Sequence, residues 1–125
     1  MRKAATRPVP PPLELLCLNA LWSLGQGSVK EVREMVAPSR PLAYTTVMTV
    51  LDRLARRGIV TRRKSGRAFL YDPAVTRDAM RRLALREFVD CYFGSSALEL
   101  LEFLEAELRR EVPAAAASNL DPALL

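Results

Sequence analysis

The chain has 125 residues, with 19 Lys+Arg against 14 Asp+Glu for a net charge of +5 at neutral pH, and it is 50% hydrophobic and 26% charged. This is the make-up of one globular domain, or of a small domain with an accessory lobe, and it excludes a collagenous or wholly disordered chain. The absence of histidine removes His-based acid–base and nucleophile systems and the commonest zinc ligand.

Cys17 and Cys91 stand far apart and outside any CxxC pair, so they read as small buried hydrophobes in a reducing compartment. Neither a metal nor a cofactor is expected. After the basic Met1-Arg2-Lys3 comes Pro8-Val9-Pro10-Pro11-Pro12, where a signal peptide would need its apolar stretch, and no apolar run is long enough to span a membrane. A cytoplasmic location is the expectation. Charge is unevenly placed: residues 1–72 carry a net +8 and residues 73–125 a net −3. A polyanion-facing part joined to a part with another task would produce such asymmetry, as would two differently solvated surfaces.

Residues 1–12 read as a basic, Pro-rich arm without regular structure. Leu13 to Leu24 is a strongly apolar helix with Pro12 in its first turn and Gly25 at its end, and Trp22 is expected to anchor the core beside Leu18 and Leu21. Ser28-Val29-Lys30-Glu31 has the capping-box form, opening a short helix with Val29, Val32 and Val36 inward, stopped by Pro38 and Pro41. The third helix, about Ala43 to Arg57, puts Val47, Val50, Leu51 and Leu54 on its core face. Its other face carries Thr45, Thr49, Asp52 and Arg56, flanked by Thr46, Met48 and Arg53. Short hydroxyl side chains let a backbone approach base edges in a major groove while longer cations reach phosphate, although this helix alone is equally read as a plain solvated face.

After Gly58 the pattern changes to period two. Ile59-Val60-Thr61, Arg62-Arg63-Lys64 and Arg67-Ala68-Phe69-Leu70-Tyr71 flank Ser65-Gly66, giving a β-hairpin with a Ser-Gly tip and four cations around it. Three helices followed by a basic hairpin form a winged helix-turn-helix, with Arg63, Lys64 and Arg67 placed to lie along a phosphate backbone.

Beyond Asp72-Pro73, Val75 to Phe93 forms a helix with Met80, Leu83, Ala84, Phe88 and Tyr92 in helical register, and Gly94 ends it. Ser96-Ala97-Leu98-Glu99 repeats the capping-box form, and the last helix runs to about Val112. Two helices cannot hide this much apolar surface by packing only on each other, so they either fold back or pair with another chain. Pairing is the reading adopted, with Leu83, Phe88, Tyr92, Leu98, Leu101, Leu104 and Leu108 at the interface, because a two-fold partner would also link two DNA half-sites. Pro113 onward is read as a tail without structure.

The run Leu42-Ala43-Tyr44-Thr45-Thr46-Val47-Met48-Thr49-Val50-Leu51-Asp52-Arg53-Leu54, with Arg56-Arg57-Gly58, closely resembles the recognition helix of the penicillinase and methicillin-resistance repressor family (BlaI/MecI/CopY). Ala20-Leu21-Trp22 and Gly66-Arg67-Ala68-Phe69-Leu70-Tyr71 extend the likeness, which covers roughly residues 13–108. It implies a homodimeric repressor on an inverted-repeat operator, with Thr45, Thr46, Met48, Thr49 and Arg53 on the DNA-facing helix and Lys64 and Arg67 on the wing. It also implies derepression, in part of the family, by cleavage in the dimerisation region under a membrane sensor-protease. The family's Asn-Phe cleavage position falls at Glu102-Phe103, where Glu replaces Asn, and the terminal cysteine cluster of the copper-responsive branch is absent.

The expected architecture is therefore mainly α with a small β-hairpin wing: an arm over 1–12, a winged-helix DNA-binding domain over 13–72, a two-helix dimerisation region over 73–112 and a tail over 113–125. The function this implies is sequence-specific transcriptional repression by a homodimer bound to double-stranded DNA, with no enzymatic activity. A winged-helix module that uses Thr45–Thr49 against a protein partner is the alternative. An enzyme built on Asp52 or Glu31 lacks any convergent acid–base pair.

Overall fold

A computed structural model describes the backbone of residues 9–118 and the side chains of residues 9–111. Most of the 1–12 arm thus lies outside the described residues, as does the end of the tail. The elements run α1 (Pro12–Leu24), α2 (Val29–Val36), α3 (Tyr44–Arg56), β1 (Val60–Ser65), β2 (Ala68–Pro73), α4 (Arg77–Tyr92) and α5 (Ala97–Ser118).

Local chemistry accounts for most of the boundaries. Pro12 opens α1, where its missing N–H costs nothing, and the Gly25 N–H closes it on the Leu21 carbonyl at 2.7 Å. The box at α2 is complete: Glu31 N donates to Ser28 Oγ at 3.2 Å and Ser28 N donates to Glu31 Oε1 at 2.9 Å. The expected second box is only half formed. Glu99 N donates to Ser96 Oγ at 3.1 Å, but the Ser96 N–H goes back to the Phe93 carbonyl at 2.9 Å, so it is already used by the turn. The last helix continues past Val112 to Ser118, against the expected stop at Pro113. Four consecutive alanines, the strongest helix formers, follow that proline.

The chain divides into two compact units between Ala84 and Leu85, twelve residues beyond the boundary expected at Asp72. The reason is Met80: at 4% exposure it belongs to the core of the first unit and draws the opening turns of α4 into it. That core is formed by Cys17, Leu18 and Leu21 of α1, Val32 of α2, Val47, Leu51 and Leu54 of α3, Val60 of β1 and Tyr71 of β2. Each helix contributes the stripe its periodicity foretold. Trp22 is not at the centre as expected. It is partly buried at the rim, where its indole N–H reaches the Val75 carbonyl at 2.8 Å, a bond the core interior would not supply.

The hairpin is antiparallel, pairing Ser65 with Ala68 and Arg62 with Tyr71, so Gly66 and Arg67 form its two-residue tip rather than Ser65 and Gly66. Gly66 has φ +64°, the positive value that the first central position of a type II′ turn demands. Gly27 adds a third, one-residue rung. It exchanges both backbone bonds with Tyr71, at 3.0 and 2.9 Å, and a Cβ there would come within 3.1 Å of Leu24. The wing is thereby sewn to the α1–α2 loop.

In the second unit Phe93 stacks edgewise between Phe88 and Phe103, with centroids 5.6 and 5.5 Å away, and Val89 is buried. Cys91 is exposed, contrary to the buried position expected for both cysteines, because it falls on the outer face of α4; Cys17 is buried as expected.

Candidate nucleic-acid interface

Helix α3 buries Val47, Val50, Leu51 and Leu54 and so turns Thr45, Met48, Thr49, Arg53 and Arg56 to solvent, with Thr46 half-buried at the margin. No side chain caps its N-terminus. Thr45, Thr49 and Arg53 follow one another at four-residue spacing and form a single line along the helix. Tyr44 and Met48 lie beside them, 48% and 37% exposed, as large apolar groups in an otherwise polar face.

Asp52 does not share the open face as periodicity suggested. The Tyr71 hydroxyl donates to Asp52 Oδ1 at 2.8 Å and Arg62 Nη1 donates to the same oxygen at 3.1 Å. Arg62 also lies over the Phe69 ring, 4.3 Å from its centroid. One carboxylate thus joins the recognition-type helix to both strands of the hairpin. Burial first, then donation to Asp52, pushes the Tyr71 phenol up to about 12.

The wing cations part company. Arg62 is engaged as described, and Arg63 Nη2 donates to Gln26 Oε1 at 2.8 Å, while Lys64 and Arg67 stand exposed at and beside the tip. At the C-cap of α3, Arg57 Nη1 donates to Glu14 Oε1 at 2.8 Å, and Arg53 Nη1 within the helix lies 3.6 Å from Glu14 Oε2. Glu14 is 3% exposed and, with Gln26 and Gly27, was not foreseen as part of this region. A signal for it existed, since Glu14 is the one charged residue in the apolar run from Leu13 to Leu24. Its carboxylate, after burial, helps push the Cys17 thiol up to about 11.

The residues expected for dimerisation fall in both units. Leu83 lies in the first and is exposed. Phe88, Tyr92, Leu98, Leu101, Leu104 and Leu108 lie in the second, and each is between 45% and 74% exposed. Glu102 and Phe103 are exposed on α5. Among the described residues no helix is long and apolar enough to cross a membrane.

Three core-sharing helices followed by a basic antiparallel hairpin define a winged helix-turn-helix, a DNA-binding class of fold. Residues 11–120 match the penicillinase repressor family, and the chain belongs to that family, one of transcriptional repressors rather than enzymes. The transcriptional regulator BlaI of Mycobacterium tuberculosis is 42% identical over 69 residues, covering 54% of this chain and 50% of the relative. This chain therefore spans about half the length of that relative. The penicillinase repressor of Bacillus licheniformis is 25% identical over 93 residues, covering 74% and 73% of the two chains. Two solved structures share the fold at 24% identity over 59% of this chain and 90% of theirs. They are the DNA-binding domain of the repressor BlaI, at a TM-score of 0.52, and the monomeric form of Bacillus licheniformis BlaI in complex with the blaP half-operator, at 0.50.

Proposed function

We propose that this chain is a sequence-specific repressor that binds an inverted-repeat operator as a homodimer, in the cytoplasm where the DNA lies. The carrying observation is the solvent-facing line Thr45–Thr49–Arg53 on a helix whose opposite side is fixed in the core, with Lys64 and Arg67 open on the adjoining wing. In this reading Thr45, Thr46, Met48 and Thr49 meet base edges, and Arg53, Arg56, Arg63, Lys64 and Arg67 meet phosphates. The relative solved on a half-operator as a monomer supports one wing domain per half-site.

Pairing through the exposed apolar residues of α4 and α5 would couple two half-sites and make occupancy depend on the dimer. Cleavage at the exposed Glu102–Phe103 bond would then release the operator, by a protease that accepts Glu in place of Asn. Gel shift of the full chain on its own promoter tests the reading: a sequence-selective band at moderate salt is expected. Loss of selectivity with the dimer intact would instead favour a winged-helix module for a protein partner.

A further inference from the structure

We propose that Glu14 is a positioning residue for DNA binding, its buried charge drawing the half-exposed Arg53 guanidinium to one side of α3 and leaving its donors open to a phosphate. The proposal rests on the repressor reading given above and adds to it a residue from outside the recognition helix and wing.

Glu14 sits in the first turn of α1 at 3% exposure. A carboxylate so placed gains from the helix N-terminus but still needs cationic partners to offset its lost hydration. Arg57 supplies the close one, at 2.8 Å on Oε1, with only 30% of its side chain exposed. It closes α3 at its C-cap and is held inward. Arg53 is differently placed. It approaches the other oxygen, Oε2, at 3.6 Å, and 54% of its side chain remains in solvent.

A guanidinium carries five N–H donors in a rigid planar fork. At 3.6 Å the Glu14 carboxylate pairs with Arg53 by charge and not by a hydrogen bond. It draws the guanidinium to one side of the helix while leaving its N–H donors for a bidentate acceptor, the geometry by which arginine grips phosphate. An unanchored arginine on the same helix would surrender its rotamer freedom on gripping that phosphate; one already held by Glu14 surrenders less. Arg57 is the close, inward partner of Glu14, and Arg53 is the looser and more exposed one. The second, looser partner is the feature that points to DNA.

A double-mutant cycle in the full chain tests this. Affinity is measured over a range of salt for the duplex that the wild type selects from a random-sequence library and for a scrambled duplex. Arg53→Ala alone is expected to weaken binding to both about tenfold and to reduce the salt slope by about one. In the Glu14→Gln background the same change should cost less than about threefold, whereas Arg56→Ala should cost the same in both backgrounds. An Arg53 penalty that stays undiminished in Glu14→Gln, on a duplex the wild type does select, overturns the role of Glu14 and leaves the repressor reading intact. A wild type that selects no duplex removes both. If Glu14→Gln does not fold, Glu14→Asp keeps the charge but draws it back by one methylene, and the same cycle decides with the same two outcomes.

Discussion

Thr49 and Met48 belong to the proposed base-reading face of α3. Both are exposed and lie outside the buried stripe of α3, so their substitution tests recognition with little disturbance of the core. Thr49→Ala and Met48→Ala should each lower affinity for the selected duplex by about 1–2 kcal/mol and leave random-sequence binding nearly unchanged; equal losses on both would show that α3 does not read bases. Tyr71 is the opposite case, a buried residue on which the wing depends. Its phenol titrates near 12 in the fold against an ordinary value of about 10, so the folded state retains its proton where the unfolded chain has lost it. The stability from this group is complete below pH 10 and is lost as pH rises toward 12. Cys17, raised from about 9 to about 11, adds a loss of the same sign beginning one unit lower. Tyr71→Phe should therefore cost about 1–2 kcal/mol near neutrality and flatten the alkaline fall in urea-denaturation stability; an equally steep fall would assign it to other groups.

At the scale of elements, the wing is held from two sides by different means. The Tyr71–Asp52–Arg62 node ties it to α3, and the Gly27 rung ties it to the loop after α1. These ties lie towards the base of the hairpin, and the side chains of Lys64 and Arg67 stand exposed at its other end. Replacing both with Gln should lower affinity for every sequence alike and reduce the salt slope by about two, with the melting temperature unmoved. An unchanged slope would remove the tip from the phosphate backbone. The capping box of α2 is a purely structural counterpart: Ser28→Ala should cost about 1 kcal/mol by denaturation and leave the salt slope alone.

Across the whole molecule, burial is very uneven. The first unit contains nearly all the buried hydrophobic residues, whereas the second leaves Leu98, Leu101, Leu104 and Leu108 about half exposed or more along α5. In the proposed homodimer these residues form the contact between the two copies. Leu101→Asp with Leu104→Asp in the full chain should sediment as a monomer and bind a single half-site no more weakly than the wild type does, while losing its advantage on the inverted repeat. A dimer that survives both changes would move the interface elsewhere.

What the sequence determined by itself was everything governed by near neighbours. The helical spacing of Val47, Val50, Leu51 and Leu54 and the Ser28–Glu31 box each depend on residues a few positions apart and lie where the sequence placed them. The hairpin, by contrast, forms with its tip one residue later than expected and without a period-two alternation of burial. The family resemblance of residues 42–58 rested on the same kind of local run. What tertiary structure alone decided was the fate of the charged and boundary residues. Arg57 finds Glu14 across 43 positions, Arg63 finds Gln26 across 37, and Tyr71 takes Asp52 off the open face across 19. An arginine has the same local preferences whether it ends on a phosphate or on a carboxylate; only the packing of α1 against α3 and of the wing against both selects the acceptor. The net +8 of residues 1–72 is accordingly not one uniform basic patch. Part of it holds the domain together, and the part left open at Arg56, Lys64 and Arg67 faces outward.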